Sequence, residues 1–415
     1  MANKVKILLL TAVIFLTIAG SIKMDLPGFP ISDLRIMIPP VILLLSLLVI
    51  FDKEAKINFS KLLNTGIGLA ISILFFLMAT SLYSAPTTHL KMLSTIILSL
   101  VCFVLSYLLS VNTKTSRAAG ESLIIGICIA SVVVSFISLV ILVSGEVGVE
   151  FVGRFVESGN FRYILYDLGR GRVYPIFPPT YFIGVITSVY LTKIKKKKNM
   201  LIFLLLLGMG IISLYAGNYR ILSLVGTIGI TYAWTKTLNI SWWKIIPIVF
   251  VIGLIPALLL PTNVIKRTSL VDSNDVGSID SRIALVSRYI NIAIDNNFKA
   301  VGFGNATEAE DLALENETGI FPTNQNPHNI YLQLLVEGGL PIAITYGVMV
   351  WFFILTDIKL LRLKKLDPVL GAISLTCILF FLTSAIERHA FNVFVYIFSI
   401  QGLIYGKSVI MKETG

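Results

Sequence analysis

Apolar runs recur along nearly the whole chain, each long enough to approach the ~20 helical residues that cross a hydrocarbon core of about 30 Å. They fall at about 5–22, 36–51, 62–84, 90–112, 120–143, 174–192, 200–217, 221–235, 244–261, 339–357, 369–386 and 391–406. Inside lipid every backbone N–H and C=O must find a partner within its own segment, so these runs predict helices. The pattern therefore predicts an all-α integral membrane protein with about twelve transmembrane helices. Three regions follow from the spacing. Residues 1–260 hold nine spans and an outer loop at 144–174. Residues 261–327 form the one long polar connection. Residues 328–415 hold a short interfacial helix and the last three spans.

Charge fixes the orientation. Lys193-Ile194-Lys195-Lys196-Lys197-Lys198 is a basic run in a short connection, and such runs stay on the cytoplasmic side. Alternating outward from that anchor puts Lys53, Lys56, Lys61, Lys114, Arg117, Lys236, Lys244, Lys359, Arg362, Lys364 and Lys365 inside, with both termini. Most Asp and Glu then fall outside, together with the loops 144–174 and 261–327. The net charge of +11 is thereby read as membrane orientation, and no nucleic-acid partner is expected. Met1-Ala2-Asn3-Lys4-Val5-Lys6 followed by Ile18-Ala19-Gly20-Ser21 imitates a signal peptide, but the alternation closes with the first helix retained. Cys102, Cys128 and Cys377 lie within apolar runs and read as small core or lipid-facing residues.

The interior of the spans is almost free of charge, and the chemistry gathers at the outer face. Arg220 follows the seventh span in Ala216-Gly217-Asn218-Tyr219-Arg220-Ile221-Leu222-Ser223-Leu224, at the mouth of the next helix. Free N–H groups, a positive dipole end and a guanidinium together make an anion site. A snorkelling arginine at a helix end gives the same string. The pattern from Asp280 to Ile294 predicts an amphipathic helix on the membrane or bundle, capped by Asp280 or Ser281. Its expected apolar face is Ile283, Val286, Ile290 and Ala293 or Ile294. Arg282, near the expected helix start, is the better ligand candidate, and Arg288 reads as solvated or paired. The 144–174 loop interleaves Arg154, Arg162, Arg170 and Arg172 with Phe155, Phe161, Tyr163 and Tyr166. Arg170 and Arg172 form a candidate pair for headgroups or a glycan diphosphate, beside the plainer reading of a solvated interfacial loop.

Pro327-His328-Asn329-Ile330-Tyr331-Leu332-Gln333-Leu334-Leu335-Val336-Glu337-Gly338-Gly339-Leu340-Pro341 joins the long outer loop to a span. The spacing predicts a short interfacial helix from His328, with Tyr331, Leu332 and Leu335 on its face. Gly338-Gly339 ends it and Pro341 restarts the next helix. An imidazole here titrates near neutrality and suits a general base, although a lone histidine is more often structural. Arg388 and His389 lie on the same outer side, and His89 in a short outer turn. The sequence holds no His-Glu-x-x-His, no Asp-x-Asp and no phosphate-binding glycine loop. The acidic stretch Glu308, Glu310, Asp311, Glu315 and Glu317 lacks calcium-loop spacing and reads as a solvated helix face. No metal or other cofactor is expected.

These residues resemble the bacterial O-antigen ligase and polymerase superfamily. Pro327-His328-Asn329 through Gly339-Leu340-Pro341 looks like the family's His-Asn-x-x-Leu region. Arg220-Ile221-Leu222-Ser223-Leu224 looks like its Arg-x-x-x-Leu element. Arg282 with Val301-Gly302-Phe303-Gly304 looks like its second arginine and following Gly-x-Gly. The motif-bearing part covers about 217–341, and the span count agrees along the rest.

The resemblance implies a GT-C-like fold with a periplasmic helical lobe. It implies metal-independent glycosyl transfer at the outer face of the bacterial inner membrane. The donor would be a glycan on undecaprenyl diphosphate, and the acceptor another lipid-linked repeat unit or lipid A-core. His328 would activate the acceptor hydroxyl, and Arg220 and Arg282 would hold the diphosphate. Arg170, Arg172, Tyr331, Arg388 and His389 are further candidates for substrate contact. Membrane lipids, a chain-length regulator and a flippase are the implied partners. A permease or flippase for the same lipid-linked glycan is the rival class, and it requires polar residues deep in the spans.

Overall fold

The computed structural model describes residues 53–84, 90–111, 228, 232, 274–303, 329–362, 366, 368–383 and 391–413. Seven helices are formed there: α1 (Lys53–Leu63), α2 (Gly66–Ser84), α3 (Leu90–Val111), α4 (Asn274–Asp295), α5 (Ile330–Arg362), α6 (Pro368–Thr383) and α7 (Phe391–Glu413). No strand occurs among the described residues. Five of the expected spans correspond to α2, α3, the second part of α5, α6 and α7. The other seven lie outside the described residues, apart from Ile228 and Tyr232, both helical. Among the described residues, α5 is the one helix whose length and composition suffice to cross a membrane.

The core is built where α2, α3, α5, α6 and α7 meet. Phe353 of α5 is its hub. Its ring stacks on Phe103 of α3 at 5.2 Å, meets Phe398 of α7 edge-on at 5.8 Å and leans on Phe381 of α6 at 6.0 Å. Cys102 and Cys377 are buried in this cluster, as the sequence suggests.

The closest helix pair is α3 with α7. Gly402-Leu403-Ile404-Tyr405-Gly406 places two glycines four residues apart, on one helix face. A Cβ on Gly402 would overlap the Phe103 carbonyl, and one on Gly406 would overlap the Ser110 hydroxyl. Small residues let backbones approach in lipid, where dispersion replaces the hydrophobic drive. Position 402 meets 103 and 106 while 406 meets 107 and 110, so the two helices run parallel. Asp357 beside Ser374 and Phe353 beside Phe381 show that α5 and α6 run antiparallel. Both directions agree with the alternation read from the basic run.

The structure adds a helix that the pattern of spans missed. Residues 53–61 were expected as a cytoplasmic connection and 62–63 as the start of a span, yet 53–63 form α1, which meets α2 at 90°. Thr65 makes the corner. Its Oγ1 accepts from the Gly68 N–H at 3.1 Å, capping α2, and donates to the Leu62 carbonyl at 2.7 Å. Gly68 is required there, because any Cβ would overlap the Leu62 carbonyl. One charged residue also departs from the expected charge-free spans. Asp357 is fully buried at the far end of α5, and its Oδ2 accepts from Gln401 Nε2 at 2.8 Å. Ser374 of α6 faces the same carboxylate.

Candidate functional site

The sequence from Asn329 to Pro341 forms a capped and sharply broken helix. Asn329 Oδ1 accepts from the N–H of Tyr331 at 3.0 Å and of Leu332 at 3.3 Å, and the Asn329 carbonyl accepts from Gln333. Asn329 is therefore the N-cap, and α5 starts at Ile330. This corrects the expectation that His328 begins the helix. The asparagine side chain takes the orphan amides, so the histidine precedes the cap. His328 itself lies outside the described residues.

Gly339 breaks α5 as its sequence suggests, with φ 75° and ψ 176°. That region is essentially reserved for glycine. The break folds the first arm, Ile330–Gly338, back along the second. Tyr331 and Tyr346 would stand roughly 22 Å apart on a straight helix, yet their rings touch edge to face at 5.7 Å. The second arm, beginning at Leu340, still rises about 34 Å to Arg362, enough to span.

The first arm was expected at the surface. It is instead packed between two bodies, because both of its faces are apolar. Ile330 and Leu334 join the main core, while Leu332, Leu335 and Val336 meet Leu285, Tyr289, Ile292 and Ala293 of α4.

The loop after α4 seals the break. α4 ends in a Schellman turn, with Phe298 N–H to Ala293 O at 2.7 Å, Asn297 N–H to Ile294 O at 2.8 Å, and Asn297 at φ 52°. The chain then lays its backbone on the open end of the arm. Val301 N–H donates to Val336 O at 2.9 Å, Gly302 N–H to Glu337 O at 3.1 Å, and Leu340 N–H to Phe298 O at 3.0 Å. Gly302 has φ 107°, which a side chain would resist. The Val301-Gly302-Phe303 element and the helix that follows His328 are thus one hydrogen-bonded unit.

Several sequence expectations change here. α4 begins at Asn274, six residues before the expected caps Asp280 and Ser281. Gly277 and the serines weaken the helical signal, and the helix forms through them. Arg282 therefore lies about 12 Å inside the helix, so the helix-start argument for it as a ligand does not apply. Its side chain is outside the described set. The buried face of α4 is Leu285, Tyr289, Ile292 and Ala293, whereas Ile290 and Ile294 are 40% and 51% exposed. Both stripes are apolar, which made the sequence choice ambiguous. Arg288 is half-buried and engaged.

Tyr331, a candidate for substrate contact, donates its hydroxyl to the Phe381 carbonyl at 2.9 Å. That carbonyl is in the last turn of α6, where intrahelical partners run out, so Tyr331 braces α5 against α6. Arg220, Arg170, Arg172, Arg388 and His389 lie outside the described residues.

One pair was not singled out from the sequence. Gln333 and Glu337 are both buried in the first arm, with Gln333 Nε2 donating to Glu337 Oε1 at 3.2 Å. Their i, i+4 spacing was the available signal.

Among the described residues the chain is all helical, a buried, capped helix arm closed by a glycine loop lying beside an apolar helical bundle. The family comparison narrows this further. Residues 180–347 match the family model for O-antigen ligase, so this stretch is similar to the O-antigen ligase and polymerase superfamily. Its members are integral-membrane, glycosyltransferase-like enzymes of polysaccharide and lipopolysaccharide biosynthesis. The matched stretch takes in Arg220, Arg282, the Gly302 loop, His328 and the break at Gly339. No curated protein matches the chain.

Proposed function

We propose that the protein is an extracytoplasmic glycosyltransferase of the inner membrane, moving a glycan from undecaprenyl diphosphate to an acceptor hydroxyl as a repeat-unit polymerase. The observation that carries the reading is the rigid unit just described. The Asn329 cap, the buried first arm and the Phe298–Gly302 seal fix the residue position that directly follows His328, within the stretch that matches the family.

In this reading His328 takes the proton of the acceptor hydroxyl as the oxygen attacks the anomeric carbon. The bond to the diphosphate breaks, and the leaving diphosphate carries away the electron pair. Arg220 and Arg282 stabilise that charge without a metal ion, as fixed cations do most effectively where charge develops. A base directly before a fixed N-cap is tethered by it, which favours the constant reach to the acceptor that positional catalysis requires. Arg170, Arg172, Arg388 and His389 are assigned to glycan or headgroup contact.

The second reading is a ligase that delivers the finished glycan to lipid A-core, and the family match is compatible with either. Both readings predict dependence on His328. The test is surface glycan length in cells deleted for the protein and complemented with wild type or His328→Ala, with membrane levels matched. Single-repeat glycans that His328→Ala fails to lengthen support the polymerase. Long chains that stay on undecaprenyl diphosphate identify the ligase. Full restoration by His328→Ala refutes the assignment of the base and favours a permease.

A further inference from the structure

A second binding feature lies away from that site. α1, α2 and α3 enclose an apolar slot of about 550 Å³, within the ~300–1,000 Å³ typical of sites for one organic ligand. Phe59 and Leu63 of α1 roof it, Ile71 and Phe75 of α2 form one wall, and Val104 of α3 forms the other. Lys56 stands at the rim, exposed, one turn from Phe59. The shape follows from the corner at Thr65. Because α1 turns 90° from α2, its apolar underside covers the groove instead of extending the span.

Length and charge identify the occupant. From Gly68 to Phe75 the slot runs about 11 Å along α2, which fits inside one leaflet, about half of the ~30 Å hydrocarbon thickness. α1 carries three lysines against one glutamate, and the basic-run topology sets it on the cytoplasmic side. An apolar slot that lies within one leaflet, with an ammonium at its rim, complements a lipid tail bearing a phosphate.

We infer that this slot holds one acyl chain of an anionic phospholipid of the cytoplasmic leaflet, with its phosphate on Lys56. The site is distinct from the outer-face unit around Asn329, and it does not depend on the proposed transfer reaction.

The test uses the purified full-length protein and native mass spectrometry, with three probes: phosphatidylglycerol, phosphatidylethanolamine and undecaprenyl phosphate. Wild type is expected to retain phosphatidylglycerol about fivefold over phosphatidylethanolamine, the factor that one interfacial lysine supplies. Lys56→Gln should abolish that preference, and Lys56→Arg should keep it. Ser72→Phe, which fills the slot, should lower retention of both phospholipids. An unchanged preference in Lys56→Gln overturns the inference. So does displacement of phosphatidylglycerol by equimolar undecaprenyl phosphate, which would assign the slot to the carrier lipid. Lys56 is exposed, so its variants test the inference even if Ser72→Phe does not fold.

Discussion

Replacing Gly339 with alanine tests the folded-back arm at its hinge. A Cβ there would stand 2.9 Å from the Ala300 amide nitrogen and 3.2 Å from the Phe298 carbonyl oxygen, both backbone atoms. Backbone cannot rotate aside, so the 298–302 loop must retreat. The φ/ψ pair alone costs an alanine about 1–3 kcal/mol. Losing one or two of the three loop hydrogen bonds adds about 0.5–1.5 kcal/mol each. The expected total is about 2–5 kcal/mol of local destabilisation. Hydrogen exchange by mass spectrometry on the full-length protein reads it directly. Peptides covering 298–303 and 336–342 should lose protection, while peptides from α3 and α7 keep theirs. Gly347→Ala is the control, because a Cβ at that helical position meets nothing within 4 Å and should stabilise by about 0.5–1 kcal/mol. If Gly339→Ala leaves both peptides as protected as in Gly347→Ala, the break is not held by the loop and the reasoning fails.

Three further perturbations probe the packing. Tyr331→Phe should lower stability by about 1 kcal/mol through loss of the bond to the Phe381 carbonyl, and leave glycan transfer near wild type. A large loss of transfer at unchanged stability would make Tyr331 a substrate ligand. Gly402→Ala should cost about 1–3 kcal/mol and exceed Gly406→Ala, because Phe103 offers a backbone carbonyl and Ser110 a hydroxyl that can rotate. Thermal unfolding in one detergent ranks them, and Ser110→Ala should rescue Gly406→Ala alone. Gln401→Leu removes the hydrogen-bond donor to a buried carboxyl group and should cost about 1.5–3 kcal/mol, whereas Asp357→Leu with Gln401→Leu should cost less than that single change. A double variant less stable than Gln401→Leu would refute that pairing.

The comparison of sequence with structure turns on which signals are local. The break at Gly338-Gly339 was legible because glycine and proline act on their own backbone. The relative directions of α3 and α7 were legible because successive spans alternate, and the parallel pairing of these two agrees with that alternation. The start of α5 was misplaced by two residues because the histidine drew the reading, although an asparagine before an apolar run is itself a cap signal. The face of α4 was misassigned from the sequence because two apolar stripes share Ala293, and only contact with Leu332, Leu335 and Val336 chooses between them. The fold-back of the first arm and its seal by 298–302 are tertiary events, made of backbone groups that carry no residue-type signature. His328 and Arg220 remain candidates by pattern and by family, outside the described residues.

The seam between α3 and α7 also sets a timetable for biogenesis. Gly402 packs on the backbone of Phe103, some 300 residues earlier in the chain. At ordinary synthesis rates that interval is roughly 15–60 s. Throughout it α3 sits in the bilayer with its small-residue face, Ser106 and Ser110, open to other helices. The nascent protein must therefore shelter that face against lipids, translocon or chaperone until α7 emerges. Variants that slow synthesis between the two helices should raise degradation of newly made protein without altering the stability of the finished one.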